Sequence, residues 1–303
     1  GKKYTVWPTM HLAVAIDDID MKMTHVIRGK DHEINMERQM LIHKALGMKS
    51  PNYFHIGRMK FTDLDLSKTA LTQKIEDGTY NGWDDPRVPS LLAYRKRGYK
   101  PKAFRKFILS MGISKRDSKI TSEEYHKGLD FFNKQILEKE SDRFFFVHNP
   151  KKVHITNIAD YPDKEIILPK HPEDKSKGNR HFKLTNEYLI DKLDFDYFEN
   201  GDLIRLMHFG NFIITKVDKD TLYLEFKSKD YDKNLGIKRN IHFVPLDAQK
   251  AQIIMQDNSK LNGLTEDLNN MKEETSVQFE RFGFAKFDYK DPEGRRVFYF
   301  THR

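Results

Sequence analysis

The stretch Leu222-Tyr223-Leu224-Glu225-Phe226 sets Leu222, Leu224 and Phe226 against Tyr223 and Glu225. A period of two is what a half-buried strand needs, because successive side chains leave a strand on opposite faces. Similar stretches recur around 203–217, 241–246, 277–289 and 295–301, separated by turn clusters such as Glu199-Asn200-Gly201-Asp202 and Asp291-Pro292-Glu293-Gly294. Many short strands without helices between them predict a barrel or a sandwich after Pro150. Pro172–Arg180 reads as an exposed loop and Asp257–Asn270 as a polar connection. Before Pro150 the period is helical. Phe104, Phe107, Ile108 and Met111 fall at i, i+3, i+4 and i+7, after Pro101 and before Gly112, and predict a helix of about three turns. Thr121 with Glu124 has the spacing of a capping box and opens another helix through Leu129, Phe132, Ile136 and Leu137.

The chain opens differently, with helix expected only from about residue 33 onward. His11–Ile16 is a short apolar run ending at Asp17-Asp18, and Thr24–Ile27 is a second that ends at Arg28-Gly29-Lys30-Asp31-His32. Followed by the amphipathic Glu33–Leu46 and then Gly47, this reads as a β–loop–α unit. Open α/β sheets bind ligands at the carboxyl ends of their strands, so Arg28 to His32 stand where a site would be. Ion pairing within the loop is the alternative.

Composition narrows the classes. The chain has 303 residues, enough for two or three units, and its 38% hydrophobic and 12% aromatic content excludes a disordered chain. It has no cysteine, which excludes a disulfide scaffold, a thiolate zinc site and a cysteine nucleophile. Without apolar runs of roughly 18 residues, and with Gly1-Lys2-Lys3-Tyr4 in place of a signal-peptide core, a soluble, cytoplasmic protein with no membrane contact is expected. Residues 81–120 hold eleven Lys or Arg against three Asp, a net +8 equal to that of the whole chain. Such a segment is either the footprint of a phosphate backbone or a solvated helical surface. The histidines lack zinc-ligand spacing, so no protein-bound metal is expected.

Several segments together carry a resemblance. Trp7-Pro8-Thr9, Asp17-Asp18, Thr24-His25-Val26-Ile27-Arg28-Gly29-Lys30-Asp31-His32, Leu66-Ser67-Lys68-Thr69, Gly82-Trp83-Asp84-Asp85-Pro86-Arg87, Arg95-Lys96-Arg97-Gly98 and Val277-Gln278-Phe279-Glu280-Arg281-Phe282-Gly283-Phe284 stand in an order and spacing that resembles glutamyl-tRNA synthetases of the archaeal type. That resemblance implies a multidomain α and β protein: the second half of a class I Rossmann-type catalytic domain over 1–72, a helical stem-contact region over 73–148, and an anticodon-binding double β-barrel over 149–303. It implies ligation of glutamate to tRNA(Glu), possibly also tRNA(Gln), through a glutamyl-adenylate made from ATP, with Mg2+ arriving on the phosphates. The first class I signature is missing. His55-Ile56-Gly57 imitates its start but continues with Arg58, and reads as the beginning of a strand, so the chain looks like the C-terminal part of a longer enzyme.

The resemblance also assigns roles. Leu66-Ser67-Lys68-Thr69 looks like the second class I signature, a mobile ATP-binding loop in which Lys68 stabilises charge building on the departing pyrophosphate. Arg28 stands where the glutamyl branch faces the substrate carboxylate with a planar fork, the structural alternative being a pair with Asp31 or Asp17. Met10 occupies a position in the amino-acid pocket where relatives tend to have tyrosine. Arg87, Arg95 and Arg97 fall in the segment expected against the tRNA stem, and Arg143, Arg205, Gln278 and Arg281 where relatives contact the anticodon, each being otherwise an ordinary exposed residue. A glutaminyl-tRNA synthetase and a non-catalytic tRNA-binding module are the rival readings; Arg28 speaks for glutamate.

Overall fold

A computed structural model of the chain describes residues 3–5 and 7–303, so Gly1 and Lys2 of the N-terminal reading lie outside the described residues. The elements begin with α1 (Met10–Asp20), β1 (His25–Gly29), α2 (Glu33–Ala45), β2 (Asn52–Ile56), β3 (Met59–Phe61), α3 (Lys68–Glu76), α4 (Leu91–Arg97), α5 (Pro101–Met111), β4 (Ser118–Ile120) and α6 (Ser122–Glu140). Next come β5 (Asp142–Phe144), β6 (Phe146–His148), β7 (Pro150–Ile155), β8 (Glu165–Pro169), β9 (Asn179–Lys183), β10 (Glu187–Asp191), the one-turn α7 (Lys192–Phe195), β11 (Leu203–Leu206), β12 (Gly210–Val217) and β13 (Thr221–Ser228). The chain closes with β14 (Arg239–Ile241), β15 (Val244–Pro245), β16 (Gln249–Ile254), β17 (Lys260–Thr265), β18 (Ser276–Phe279), β19 (Gly283–Lys290) and β20 (Arg296–His302). Two compact units result: residues 1–65 with 104–129, and residues 66–103 with 130–303.

In the first unit β1 runs parallel to β2, from His25 opposite Asn52 to Gly29 opposite Ile56, and α2 follows β1 after one 3-10 turn. The β–loop–α expectation holds. His55-Ile56, expected to begin a strand, instead ends β2. His11–Ile16 lies within α1, a helix earlier than expected; an uninterrupted apolar run has no period by which helix and strand can be told apart. His43 is buried between these elements, its ring nitrogens 2.9 Å from the Ala15 carbonyl and 3.0 Å from the Ser50 hydroxyl. The capping box forms as its spacing predicts: the Thr121 N–H donates to the Glu124 carboxylate (2.9 Å) and the Glu124 N–H to the Thr121 hydroxyl (3.2 Å). The stripe expected on α5 is only partly buried, with Phe107 inside but Ile108 and Met111 exposed.

The second unit is built on two seven-stranded sheets. The first has the order β14-β11-β12-β13-β7-β10-β15, the second β5-β18-β19-β20-β16-β17-β6. The outermost strands of each are neighbours in sequence: Ile241 and Val244 are separated by two residues, Phe144 and Phe146 by one. Both sheets therefore curl until their edges approach. Phe145 lies in the core of the first sheet, packed with Tyr188, Phe209 and Phe243, while Phe144 and Phe146 lie in the core of the second with Phe279 and Phe298. Strand alternation sends consecutive side chains into two different interiors. Two loop expectations are corrected, because β17 occupies 260–265 within the stretch read as a polar connection, and Arg180, read as loop, is buried in β9.

Candidate functional site

In the first unit the strand end carries the substrate candidates. Arg28 sits on β1 opposite His55, donates to the Gln39 side-chain oxygen at 2.9 Å and lies 4.9 Å above the Tyr53 ring. Neither expected acid takes it. Asp31 instead pairs with Arg58 at 3.2 Å. The Arg28 Nε and the Tyr53 hydroxyl are shut off from solvent and have no hydrogen-bond partner among the described residues. A buried donor left unmade costs about 1–3 kcal/mol, so this guanidinium is incompletely satisfied by its own protein. Burial first, then the nearby Asp18 charge, push the Tyr53 hydroxyl up, against the opposing pull of Arg28. Met10 begins α1 and is 80% exposed, with only a weakly accepting thioether to offer.

Lys68 belongs to the second unit and opens α3, capped by Ser67, whose hydroxyl accepts the Ala70 N–H at 3.4 Å. Leu66, Ser67, Lys68 and Thr69 are all exposed. The expected loop is thus the first turn of a helix, which points backbone N–H groups toward any anion that reaches it.

The Gly82–Arg87 turn is wound around Asp85. Its carboxylate accepts the N–H groups of Asn81 (2.9 Å) and Arg87 (3.0 Å) and both Nε and Nη2 of Arg87 (2.8 and 2.6 Å). Burial alone would raise Asp85, but these donors outweigh it and hold the carboxyl at about 2. Arg87 also donates to the Thr79 carbonyl and lies over Tyr80, so its fork is spent inside the turn. Arg97, expected against RNA, is 3% exposed and donates to the Phe300 (3.2 Å) and Thr301 (2.8 Å) carbonyls and to Gln256 (3.2 Å). It is therefore not the exposed residue expected, and its side chain docks α4 on β20. Lys286 returns the contact, donating to the Arg95 carbonyl at the end of that helix (2.9 Å). Gly98, with φ of +98°, ends the helix where a Cβ would come within 2.9 Å of Thr301 Oγ1. Lys96 binds Asp84, which leaves Arg95 as the exposed member of the Arg87, Arg95 and Arg97 set.

Among the β-region candidates, Arg143 and Gln278 come together as register neighbours on the parallel strands β5 and β18, both half-buried. Arg143 was expected before the first strand and lies within it, since the β region begins at Asp142. Arg281 follows β18 with φ of +66° and donates two hydrogen bonds to Asp194 (2.6 and 2.8 Å), its Nη1 also lying 3.2 Å from His242. Burial, then the charge of Arg281, push His242 below its usual range. Arg205 is elsewhere, donating to Asn211 (2.8 Å) and the Lys229 carbonyl (3.1 Å) with Tyr231 beneath it.

The sequence reading missed a buried knot. Arg180 lies over Phe145 and donates to Glu266 (2.8 Å) and Glu280 (2.9 Å), while Glu266 also accepts the Phe145 N–H (2.7 Å). Desolvation pushes Glu266 up to about 7 despite the arginine. The knot borders a cleft of about 1110 Å³ that also reaches Lys170, Asn186, Asp247 and Lys272. Glu280 lay inside a quoted motif, yet nothing in the linear sequence pairs it with Arg180, one hundred residues away.

Two family models match the chain: tRNA synthetases class I (E and Q), catalytic domain, over residues 1–139, and the anti-codon binding domain of the same class over residues 141–229. The chain belongs to the class I tRNA synthetases of the E and Q type. Within them it is similar to archaeal glutamate–tRNA ligases: that of Methanococcus maripaludis strain C5 is 38% identical over 306 residues, covering all of this chain and 53% of the relative. That of Methanocaldococcus jannaschii is 36% identical over 301 residues, covering 97% and 52%. The chain spans about half the length of the curated relatives it matches. The crystal structure of a glutamate-tRNA synthetase from Elizabethkingia anophelis aligns with a TM-score of 0.30 at 24% identity, over 43% of this chain and 31% of that one, a likeness too low to argue from.

Proposed function

We propose that this chain works as part of a longer ATP-dependent glutamate–tRNA ligase, joining glutamate to tRNA(Glu) through an adenylate during translation in the cytoplasm. The observation that carries it is similarity along the whole chain to glutamate–tRNA ligases, combined with a strand-end arginine, Arg28, whose guanidinium is left with a donor unmade. A carboxylate substrate is the partner such a group lacks. Residues 1–72 then supply the second half of a Rossmann-type catalytic domain, 73–148 a stem-contact region, and 149–303 a double β-barrel; the neighbouring edge strands of both curled sheets support the barrel reading. Lys68, with Leu66, Ser67 and Thr69, meets the ATP phosphates, and Arg95 the tRNA stem. Met10 lines the amino-acid pocket. Arg143, Gln278, Arg281 and Arg205 address the anticodon, the pairing of Arg143 with Gln278 supporting a common site. Mg2+ comes with ATP, held largely by its phosphates. No helix of the described residues is long and apolar enough to cross a membrane.

Adenylate formation is displacement at the α-phosphorus, the glutamate carboxylate attacking and pyrophosphate leaving, and transfer to the tRNA is acyl transfer to a ribose hydroxyl with AMP leaving, steps for which positioned cations suffice. The test is ATP–pyrophosphate exchange by the longer protein. Exchange supported by glutamate and not glutamine, and slowed about 10²–10³-fold by Lys68→Ala, is the expected result. Exchange with glutamine instead would favour the glutaminyl reading; the absence of any exchange would leave a tRNA-binding module. Charging of tRNA(Gln) beside tRNA(Glu) would extend the partners.

A further inference from the structure

Asp194 is buried at 2% exposure in the one-turn α7, yet it serves two arginines at once. Its Oδ1 accepts from Arg281 Nη2 (2.8 Å) and Arg239 Nη1 (3.1 Å), and its Oδ2 from Arg281 Nη1 (2.6 Å). Arg239 stands on β14, the edge strand of its sheet, and keeps 42% of its side chain exposed. Its guanidinium carbon lies 4.5 Å from the centre of the Tyr197 ring, and the Lys238 ammonium lies 5.0 Å from the same ring. Tyr197 is itself 49% exposed and is braced edge-on by the buried Phe198, with ring centres 5.6 Å apart.

A purely structural tie explains only part of this. The Asp194–Arg281 bond joins the first sheet to the second and would do so alone. Arg239 stands in the first sheet, and α7 directly follows β10 of the same sheet, so this contact adds nothing to that tie. Arg281 holds a left-handed backbone, of a kind that costs of order 1 kcal/mol for a residue with a side chain and that clusters at functional sites. An exposed planar cation backed by a half-exposed aromatic ring is the equipment by which proteins stack unpaired bases.

We propose that Asp194 presents Arg281 and Arg239 as one two-headed reader of single-stranded RNA, in which the guanidinium of Arg239, backed by Tyr197, is a stacking platform for the base next to the one that Arg281 addresses. Asp194 is a positioning residue. The inference rests on the reading of the β region as an anticodon binder and adds Tyr197, Arg239 and Asp194 to it.

The test uses the 303-residue chain and its affinity for tRNA(Glu) and for transcripts substituted singly at each anticodon-loop position. Arg239→Lys keeps the charge and loses the plane; Tyr197→Leu removes the backing. Each is expected to weaken binding roughly 5- to 150-fold, the span of one lost base stack, and to flatten discrimination at one loop position. The salt dependence of Arg239→Lys should match the parent, because the number of cations is unchanged. Both residues are exposed, and thermal melting checks that the fold survives. Unchanged affinity, or equal weakening for every transcript, would overturn the proposal. Gln278→Ala separates the two levels: if it alone erases anticodon dependence, the broader reading stands and the Arg239 platform falls, whereas if no variant distinguishes the transcripts, both fall.

Discussion

Replacing Asp85 by asparagine should unpick the Gly82–Arg87 turn in a way that depends on pH. In the folded chain the carboxyl is held at about 2, against an ordinary 3.8, by four donors that all prefer the ionised form. A group whose folded value is depressed lends stability that is complete above its unfolded value and drains away as the pH falls through the folded one. Nearly two units at 1.36 kcal/mol each put that contribution at about 2–3 kcal/mol at neutral pH. It is still nearly whole at pH 5 and falls to about half at pH 3. Asp85→Asn removes the titration, so the gap between parent and variant should narrow by about 1 kcal/mol between pH 5 and pH 3. Urea unfolding followed by tryptophan fluorescence measures it well, because the chain has two tryptophans and the half-buried Trp83 adjoins this turn, whereas Trp7 is largely exposed. A gap that stays constant with pH would refute the reasoning, since a purely steric or neutral hydrogen-bond effect has no reason to follow a carboxylate's titration.

Three further outcomes are expected. Arg97→Met should lower stability by about 2–4 kcal/mol, stranding the buried Phe300 and Thr301 carbonyls, while tRNA affinity measured where the variant is folded stays within twofold of the parent. Thr121→Ala removes the hydroxyl that accepts the Glu124 N–H while the backbone N–H bond to the Glu124 carboxylate remains, and should cost about 1 kcal/mol in chemical denaturation. In the longer enzyme Arg28→Gln should raise the glutamate KM at least tenfold with an unchanged circular dichroism spectrum; an unaltered KM would make Arg28 a structural residue held by Gln39 and Tyr53.

What the sequence disclosed and what it withheld divide along one physical line. Local signals were legible: the Thr121–Glu124 box, the Pro101 start of α5, Gly201 and Gly294 in turns with positive φ, and the alternation at 222–226 that becomes β13. Each depends on residues within a few positions of one another. The fate of the cations was not legible. Arg97 reads as one more basic residue in a solvated stretch, and only the return of the chain at Phe300 and Thr301 gives it buried carbonyl partners. Likewise Asp194 and Arg281, and Arg180 with Glu266 and Glu280, are pairs made by sheet curvature between positions some ninety or a hundred residues apart. The sequence of α1 misled differently, since an unbroken apolar run is silent about its period.

The Phe144-Phe145-Phe146 tripeptide has a thermodynamic corollary. One short run of backbone inserts its middle ring into one sheet's interior and its flanking rings into the other's, and the Phe145 amide is tied to the Arg180–Glu266–Glu280 knot as well. Neither interior can loosen without dragging this segment out of both. The two sheets are therefore expected to exchange their core amide hydrogens as a single foldon with one opening free energy, and an RNA ligand gripping either of them should slow exchange in both alike.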